Sequence, residues 1–317
     1  MTSFAREIAG PLSALLLVAL VVGFTTENFL APGNISNLVL QVSIVAIIAI
    51  GSTVVILAGG IDLSPGSAIA LMTMVFATLI KFYGWPLVPA IVAVLLLGLV
   101  LGLINGALTA YLRIPSFITT LAALSAFRGI AFMFNNGSPI FQLSPALESL
   151  FYSSVVGIPL PLFYVAICYA LAYWFLTYTA PGRAIYAVGG NASAARLSGI
   201  NVGRTQLIAF AIAGVTAALG AILMAARLNS GSPNYGVGLE LAAIAAAVIG
   251  GTSLAGGRGN VVNTVIGAMT IVVVQNGLNL NAVPTSAQNV VIGAIIIIAV
   301  GIDMWRTELL GLFARKK

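Results

Sequence analysis

Long apolar segments separated by short polar ones run along the whole chain. Five windows of more than 20 residues contain no charged residue. One membrane crossing needs about 20 apolar residues, so several of these windows are long enough for two. The alternating pattern of β-strands is absent, and only helices or closed barrels satisfy backbone polar groups in lipid. The pattern therefore predicts an all-α, polytopic bundle of transmembrane helices. The charge-free windows are 28–61, 82–112, 149–182, 205–226 and 259–302.

About ten membrane spans are predicted, within one domain that covers residues 1–317. Two sets of five spans would give the halves opposite orientations, as in inverted-repeat transporters. The dipeptide Asn-Gly at 105 recurs 171 positions later, whereas Gly-Gly at 59 recurs after 191 positions. Because these registers disagree, the inverted repeat stays a hypothesis. The predicted spans are 10–27, 38–58, 66–82, 86–110, 117–134, 158–178, 205–227, 239–256, 262–281 and 286–303.

Composition and charge support a membrane protein and predict its orientation. The chain is 60% hydrophobic and 6% charged, whereas soluble domains carry about 25% charged residues. Cytoplasmic loops of membrane proteins are enriched in Lys and Arg. With a cytoplasmic N-terminus, only Lys81 and Arg227 fall outside, Arg128 lies within a span, and all other basic residues fall inside. We therefore expect both termini in the cytoplasm. We attribute the excess of basic over acidic residues to membrane topology and not to nucleic-acid binding.

The residues offer little for catalysis or metal binding. Histidine is absent, and the single cysteine, Cys168, lies in an apolar run. No nucleophile–base pair, metal cluster or pair of catalytic carboxylates is recognisable. The glycines of 250–258 do not form a phosphate-binding loop, since that motif requires a lysine and the only internal one is Lys81. We expect no enzymatic activity and no cofactor on this chain, so any driving ATP would bind another chain.

The segment 57–67, L-A-G-G-I-D-L-S-P-G-S, is predicted to break a helix. Gly59-Gly60 suits a helix end, and Ser64 followed by Pro65 suits an N-cap and first helical position. Asp62 can accept the free amide hydrogens of that turn or complement the helix dipole. The alternative role for Asp62 is a coupling or gating carboxylate near the inner face.

A second glycine-rich segment, G-G-T-S-L-A-G-G-R, starts at Gly250-Gly251 and ends at Arg258. We expect a tight turn after the eighth span, with Arg258 as a cytoplasmic anchor. Glu240, at the start of that span and near the outer surface, is either a dipole partner or a proton-carrying group. Arg128 lies inside the fifth span, where its partner is either a carboxylate or backbone carbonyls.

Neutral polar side chains within the spans are candidates for a substrate pathway. Hydroxyl and amide groups suit a neutral polyhydroxy solute, and the scarcity of buried charge disfavours an ionic one. The same residue types also form hydrogen bonds between helices. The candidates are Gln41, Ser43, Asn105, Thr119, Thr120, Ser125, Asn276 and Asn279.

The internal segment 179–204 is both polar and long enough to fold outside a membrane. It reads T-A-P-G-R-A-I-Y-A-V-G-G-N-A-S-A-A-R-L-S-G-I-N-V-G-R and contains three arginines. An Ala-rich turn bounded by Gly189-Gly190 and Gly199 would be a compact knob able to enter a cleft. The segment is therefore a candidate docking element, the alternative being a solvated loop held to anionic lipid.

Together these motifs resemble the ribose-type family of bacterial ABC-importer permeases. The resemblance rests on 57–67, on G-R-A-I-Y-A-V-G-G-N-A-S-A-A-R-L-S-G-I-N, and on A-A-V-I-G-G-T-S-L-A-G-G-R-G. R-I-P-S-F-I-T-T-L from Arg113 and N-N-G-S-P-I from Asn135 also fit, so the similarity extends from the second span to the last.

The resemblance implies one subunit of a multi-protein importer in the bacterial inner membrane. An extracytoplasmic sugar-binding protein delivers a monosaccharide, ribose or a similar sugar, with 135–157 as its plausible contact. Two permeases, this chain and a second copy or a close paralogue, form the pathway. A cytoplasmic ATP-binding cassette protein, which binds ATP with Mg, drives the cycle. The alternative function is an ion-coupled secondary transporter that uses Asp62 or Glu240.

The resemblance also assigns a coupling helix to the arginine-rich segment. A-A-R-L-S-G at 194–199 matches the core of the importer coupling loop, but Ser193 replaces the acidic residue that often precedes it. Ala242 likewise replaces an acidic residue common in the family, so no role of that carboxylate is transferred. The implied coupling residues are Arg183, Gly189, Gly190, Asn191, Ala194, Ala195, Arg196 and Gly199. The candidate gating or helix-break residues are Gly59, Gly60, Asp62, Ser64, Gly250, Gly251 and Arg258.

Overall fold

The computed structural model describes the backbone of residues 3–314 and the side chains of 8–149 and 153–301. Helices dominate these residues, so the all-α prediction is confirmed. The helices are α1 (Ser3–Thr25), α2 (Pro32–Leu57), α3 (Pro65–Lys81), α4 (Leu87–Ala110), α5 (Ser116–Met133), a 3-10 turn (Phe134–Gly137), α6 (Pro145–Tyr152), α7 (Leu160–Tyr178), α8 (Ala180–Gly190), α9 (Ala192–Leu197), α10 (Val202–Leu228), α11 (Leu239–Ile249), α12 (Val261–Leu280) and α13 (Thr285–Ala314).

A helix lies at each of the ten predicted spans, but their lengths differ. Among the described residues, seven helices are long and apolar enough to cross a membrane, namely α1, α2, α4, α5, α7, α10 and α12. The apolar helices α3 and α11 and the apolar part of α13 are shorter. At about 1.5 Å per residue, α11 extends roughly 16 Å, about half of a bilayer core of about 30 Å.

The predicted end of the eighth span is wrong. That span was expected to continue to residue 256, whereas α11 ends at Ile249. Gly250 packs so closely on α12 that a Cβ there would lie 2.8 Å from the Thr264 Cα. Gly251 then takes a positive φ of 88°, a conformation that glycine adopts without steric cost. Residues 250–260 therefore form a loop.

Two non-helical segments interrupt the bundle, and each leads to a short helix. Residues 58–64 connect the end of α2 to α3, and residues 229–238 connect the end of α10 to α11. The starts of α3 and α11 meet inside the bundle, because the backbones of Gly66 and Gly236 are in direct contact and both residues are buried. The N-terminal ends of the two short helices thus lie close together.

The order of elements repeats with inverted orientation. Helices α2 to α5 correspond to α10 to α13, since α4 packs on α10 as α12 packs on α2, and α3 packs on α5 as α11 packs on α13. Gly51 of α2 faces Ala213 of α10, whereas Ile48 faces Gly220, so these two helices are antiparallel. Outside this repeat, α1 packs on α12 and α7 on α2.

This repeat explains the two conflicting offsets in the sequence. The Asn-Gly pairs at 105 and 276 lie in the corresponding helices α4 and α12. The Gly-Gly pair at 59 follows α2, whereas that at 250 follows α11, so these two are not equivalent. The 171-residue offset reflects the repeat, and the 191-residue offset does not.

Glycine and alanine allow the central helices to pack closely. Gly98 and Gly102 of α4 lie against the backbone of Gly214 in α10, and a Cβ on Gly102 would be 3.1 Å from the Gly214 Cα. Such close approach stabilises helix pairs in lipid, where burial of apolar area contributes little. These glycines therefore help to hold the protomer together.

The two ends of the bundle differ in structure. One end, which we call the α8–α9 face, carries α8, α9, the end of α2 and the start of α10. The other end, which we call the strand face, carries α6 and two short antiparallel ladders. There Ile140–Phe141 pairs with Ser230–Gly231, and Ser154–Val155 pairs with Ile158–Pro159. The Lys81 Nζ at the end of α3 donates to the Gln142 carbonyl at 2.9 Å.

Candidate functional site

The segment 179–204 folds into α8, α9 and the start of α10 because three side chains cap the helices. The backbone N–H of Gly182 donates to the Thr179 Oγ1 at 3.1 Å. The N–H of Ala194 donates to the Asn191 Oδ1, and the N–H of Arg204 to the Asn201 Oδ1, each at 2.9 Å. Such caps satisfy amide groups that have no partner within a helix. The predicted Ala-rich helix therefore exists, and its coupling role stays a prediction.

Most of α9 is exposed on the α8–α9 face. Ala194 and Arg196 are exposed and Ala195 is buried against the bundle. Gly199 has a φ of 84°, and the Ile200 N–H donates to the Ala195 carbonyl at 3.0 Å, which ends the helix. Leu197, which sequence reasoning did not single out, is 91% exposed. A leucine within an otherwise polar segment was the signal that could have identified it.

The end of α8 is fixed by contacts between backbones. Gly189 lies against the Leu57 carbonyl at the end of α2, with no room for a Cβ. The Gly257 N–H donates to the same carbonyl at 3.0 Å. We call Gly59, Gly189, Gly190, Gly256 and Gly257 the glycine node. Through it, α8 contacts both the segment 58–64 and the loop 250–260.

The loop 250–260 is closed by its own backbone and by α8. The Ser253 N–H donates to the Arg258 carbonyl at 3.0 Å. The Tyr186 Oη donates to the Gly259 carbonyl at 3.2 Å. Burial raises the pKa of the Tyr186 phenol, so the group stays protonated and able to donate. Arg258 is exposed on the α8–α9 face, as an anchoring residue would be.

The segment 58–64 is held by side chains of α4 and α5. The Ser64 N–H and Oγ both donate to the Asp62 Oδ1, at 2.8 and 2.6 Å. The Asn105 Nδ2 of α4 donates to the Ser64 Oγ at 2.9 Å, and the Ile61 N–H donates to the Ser116 Oγ of α5 at 3.0 Å. Asp62 thus orients the turn before α3.

Ser64 differs from its predicted role in one respect. It occupies the N-cap position of α3, but its side chain makes no capping bond to that helix. Its oxygen accepts from the Asn105 Nδ2 instead, while its hydroxyl hydrogen is donated to Asp62. The prediction that the Ser64 side chain caps α3 is therefore wrong. The prediction that the helix breaks between Gly59 and Pro65 is confirmed.

The segment 229–238 is held by different chemistry. The Arg128 guanidinium of α5 donates to the Pro233 carbonyl at 2.5 Å and to the Tyr235 carbonyl at 2.7 Å. Of the two partners considered for Arg128, backbone carbonyls are the ones found. The Gly238 N–H donates to the Glu240 Oε1 at 3.2 Å, and Glu240 lies beside Gly66 at the start of α3.

The expected position of Glu240 near the outer surface is wrong. Because 229–238 turns back into the bundle, α11 begins at depth, and the Glu240 Oε2 is buried without a hydrogen-bond partner. The sequence signal that could have shown this is the uncharged stretch of ten residues before α11, which contains three glycines and is longer than a simple turn requires.

The structure does not bring the pathway candidates together. The Asn276 amide exchanges hydrogen bonds with Asn34 at 2.7 and 3.0 Å. The Asn279 Oδ1 accepts from the Gln288 Nε2 at 2.8 Å.

Gln41 is half-buried in α2, Thr119 is buried in α5, and Ser125 is exposed on α5. Ser43, Thr120 and Ser125 donate to carbonyls of their own helices.

A cavity beside Asp62 and Asn105 lies between α3, α4 and α10. Its volume is about 10 Å³, which is room for about one water molecule. The Asn105 Oδ1 is buried there without a partner. This interior cavity is too small for a sugar.

Comparisons with known proteins agree with this arrangement. A family model described as "Branched-chain amino acid transport system / permease component" matches residues 34–300. The ribose import permease protein RbsC of Escherichia coli K12 is 41% identical over 296 residues, which cover 92% of each chain. The chain belongs to this permease family. No solved structure matches it significantly.

Further members of the family carry other sugar names. The xylose transport system permease protein XylH of Escherichia coli K12 is 37% identical over 92% of this chain and 90% of its own. The D-allose transport system permease protein AlsC of the same organism is 40% identical over 91% of this chain and 88% of its own. The resemblance to ribose-type ABC-importer permeases is thus confirmed, as is a multi-pass membrane protein.

Proposed function

We propose that this chain is the non-catalytic permease subunit of an ATP-driven, binding-protein-dependent importer of ribose or a similar monosaccharide. The observation that carries the proposal is the exposed helix α9, joined through α8 and the glycine node to the segment 58–64 and the loop 250–260. The family model is described by amino-acid transport, but the relatives aligned over nearly the whole chain are named for sugars.

The distribution of charge supports a cytoplasmic α8–α9 face. Arginines at five positions lie on that face, whereas Lys81 and Arg227 lie at the strand face. Loops rich in Lys and Arg stay on the cytoplasmic side. Residues 1–2 and 315–317 lie outside the described residues, and we expect both termini in the cytoplasm. The five arginines are Arg113, Arg183, Arg196, Arg204 and Arg258.

A cysteine-labelling experiment tests this orientation. In a Cys168→Ala background, Ser193→Cys on exposed α9 is expected to react with a membrane-impermeant maleimide only from the cytoplasmic side. Ser138→Cys on the strand face is the matched control and is expected to react only from outside, since both positions are exposed. Labelling of Ser193→Cys in intact cells would contradict the proposed orientation.

Coupling follows from the position of α9. The ATP-binding cassette protein, with its ATP and Mg, would contact Arg196 and Leu197, which are both exposed. A displacement of α9 would pass through the backbones of the glycine node, because no flexible side chain lies between them. The displacement would then reach the segment 58–64, which precedes α3, and the loop 250–260, which follows α11. An extracytoplasmic sugar-binding protein would contact the strand face near 135–157.

The pathway is best placed between two permease protomers. The small interior cavity leaves no route for a sugar within one protomer. The exposed part of α5 includes a stripe of small residues, Ala122, Ser125 and Gly129, and such stripes let helices approach closely in lipid. A second copy or a close paralogue facing this surface would complete the pathway.

Uptake into proteoliposomes separates the importer from its rival, an ion-coupled secondary transporter. With the ATP-binding subunit and the binding protein, we expect ribose uptake that requires internal ATP and is abolished by Arg196→Glu. Substitution with glutamate reverses the charge on exposed α9 without altering the buried bundle. Uptake by the permease alone under a proton or sodium gradient would overturn the proposal.

A further inference from the structure

A cleft of about 460 Å³ opens on the α8–α9 face. It lies between the end of α2, the turn from α4 to α5, helix α9 and the start of α10. Two arginines from different segments line it, Arg113 from the α4–α5 turn and Arg196 from α9, and its lining includes no acidic residue. The cleft is therefore electropositive.

Neither guanidinium is used to hold the fold. Within the described residues, the guanidinium groups of Arg113 and Arg196 make no hydrogen bond, and both residues are exposed. Arg113 has a positive φ of 58°, which is costly for a residue other than glycine. The first residues of α5 and α10, including Ser116 and Gly203, also line the cleft. Helix N-termini carry partial positive charge and favour anions.

The surroundings of Arg113 distinguish a lipid from a soluble anion. Tyr111 is 60% exposed, Leu112 is 66% exposed and Phe117 is 50% exposed. Aromatic and apolar side chains beside a cation at a helix end are typical of the membrane–water interface. A soluble phosphate would make no use of these apolar groups, whereas the acyl chains of a lipid would pack on them.

We infer that this cleft binds the phosphate headgroup of an anionic phospholipid, with Arg113 and Arg196 as its cationic ligands. Basic pockets between transmembrane helices recognise such headgroups elsewhere. Tyr111 and Leu112 contact the acyl chains at its mouth. Since Arg196 belongs to α9, a bound lipid would also tie α9 to the α4–α5 turn. That regulatory consequence rests on the proposed function, whereas lipid binding does not.

The test is a titration of the purified full-length chain in neutral detergent with fluorescent phosphatidylglycerol. Fluorescent phosphatidylcholine measures background binding. Each basic residue near an anionic surface contributes about 1 kcal/mol, which corresponds to roughly fivefold in affinity. We expect Arg113→Gln and Arg196→Gln each to weaken binding by about fivefold, and the double variant by about twenty-five-fold. Arg183→Gln, on the same face outside the cleft, is the matched control and is expected to change binding by less than about twofold.

A charge-conserving variant and a competition with inorganic phosphate complete the test. Arg113→Lys keeps the charge and is expected to retain most of the binding, which distinguishes lost charge from a damaged fold. Inorganic phosphate at equal concentration is expected not to displace the lipid. Equal binding of phosphatidylcholine, full binding by the double variant, or displacement by inorganic phosphate would each overturn the lipid site. Because neither sugar nor ATP-binding subunit is present, these results are independent of those that test the permease function.

Discussion

The two breaks in the bundle have the same topology but different chemistry. In the first, Asp62, Ser64 and Asn105 form a chain of side-chain hydrogen bonds that orients the turn before α3. In the second, the Arg128 guanidinium holds the backbone carbonyls of Pro233 and Tyr235. The inverted halves are therefore equivalent in architecture and not in the groups that stabilise them. Side-chain changes at one break have no counterpart at the other.

The two breaks also differ in how they contact the glycine node. The glycine node touches 58–64 directly at Gly59, whereas it contacts the second half only through the loop after α11. The segment before α11 is held by Arg128 of α5 and lies against the backbone of Gly66. A movement of α8 and α9 would therefore reach the first break before the second.

Among the variants that compare the two breaks, the largest effect is expected from Gly189→Ala. A Cβ at this position would overlap the Leu57 carbonyl and lie 2.7 Å from the Gly257 nitrogen. Because both neighbours are backbone atoms, α8 must move away, and we expect uptake to fall more than about tenfold with a lower thermal midpoint. Gly190→Ala is the matched control, since nothing lies within 4 Å of a Cβ there. Equal behaviour of the two variants would contradict the role of the node.

Arg128→Met is expected to have the next largest effect, and it acts on the second break alone. It removes both hydrogen bonds to the 229–238 segment while preserving most of the side-chain volume. Hydrogen bonds to charged groups contribute about 1.5–3 kcal/mol each, so we expect a clear loss of thermal stability. Protection of amides 229–238 from hydrogen exchange should fall, while that of 58–64 should not. A uniform loss over both segments would show that the breaks are coupled more tightly than their contacts indicate.

Asp62→Asn acts on the first break and is expected to be milder. The amide oxygen can still accept from the Ser64 N–H and Oγ, so the turn keeps its shape and only the charged character of these bonds is lost. We expect about 1 kcal/mol less stability and uptake within about threefold of the parent protein. Ser64→Ala, which removes the link to Asn105, is the comparison variant and should cost at least as much. Complete loss of uptake by well-folded Asp62→Asn would assign Asp62 a gating or coupling role.

The sequence was most informative where a residue type has one dominant structural use. Gly59-Gly60 and Ser64-Pro65 marked the first break correctly, and the polar segment 179–204 marked α8 and α9. Apolar length also predicted the helices, because a helix in lipid must satisfy its own backbone. Each of these inferences depends on local chemistry alone.

What the sequence could not reveal depends on contacts between distant segments. Glu240 was predicted to lie near the outer surface. Its actual position depends on the re-entrant path of 229–238, which is fixed by Arg128, more than a hundred positions earlier in the chain. The node pairs Gly189 with Leu57 and Gly257, and no single segment shows that pairing. The amides and hydroxyls proposed for the pathway were indistinguishable from interhelical hydrogen-bonding groups, and several of them prove to form such bonds.

The smallest effect is expected from Glu240→Gln, which replaces the carboxylate at the second break with an uncharged amide. The Gly238 N–H can still donate to the amide oxygen, and the Oε2 that becomes an NH₂ makes no hydrogen bond in the parent protein. We expect uptake within about twofold and a thermal midpoint close to that of the parent. A carboxylate that carried a coupling ion would behave otherwise, because its neutral analogue would abolish transport while leaving the fold intact. Retained, ATP-dependent uptake by both Glu240→Gln and Asp62→Asn would leave the secondary-transporter alternative without either of its proposed carboxylates.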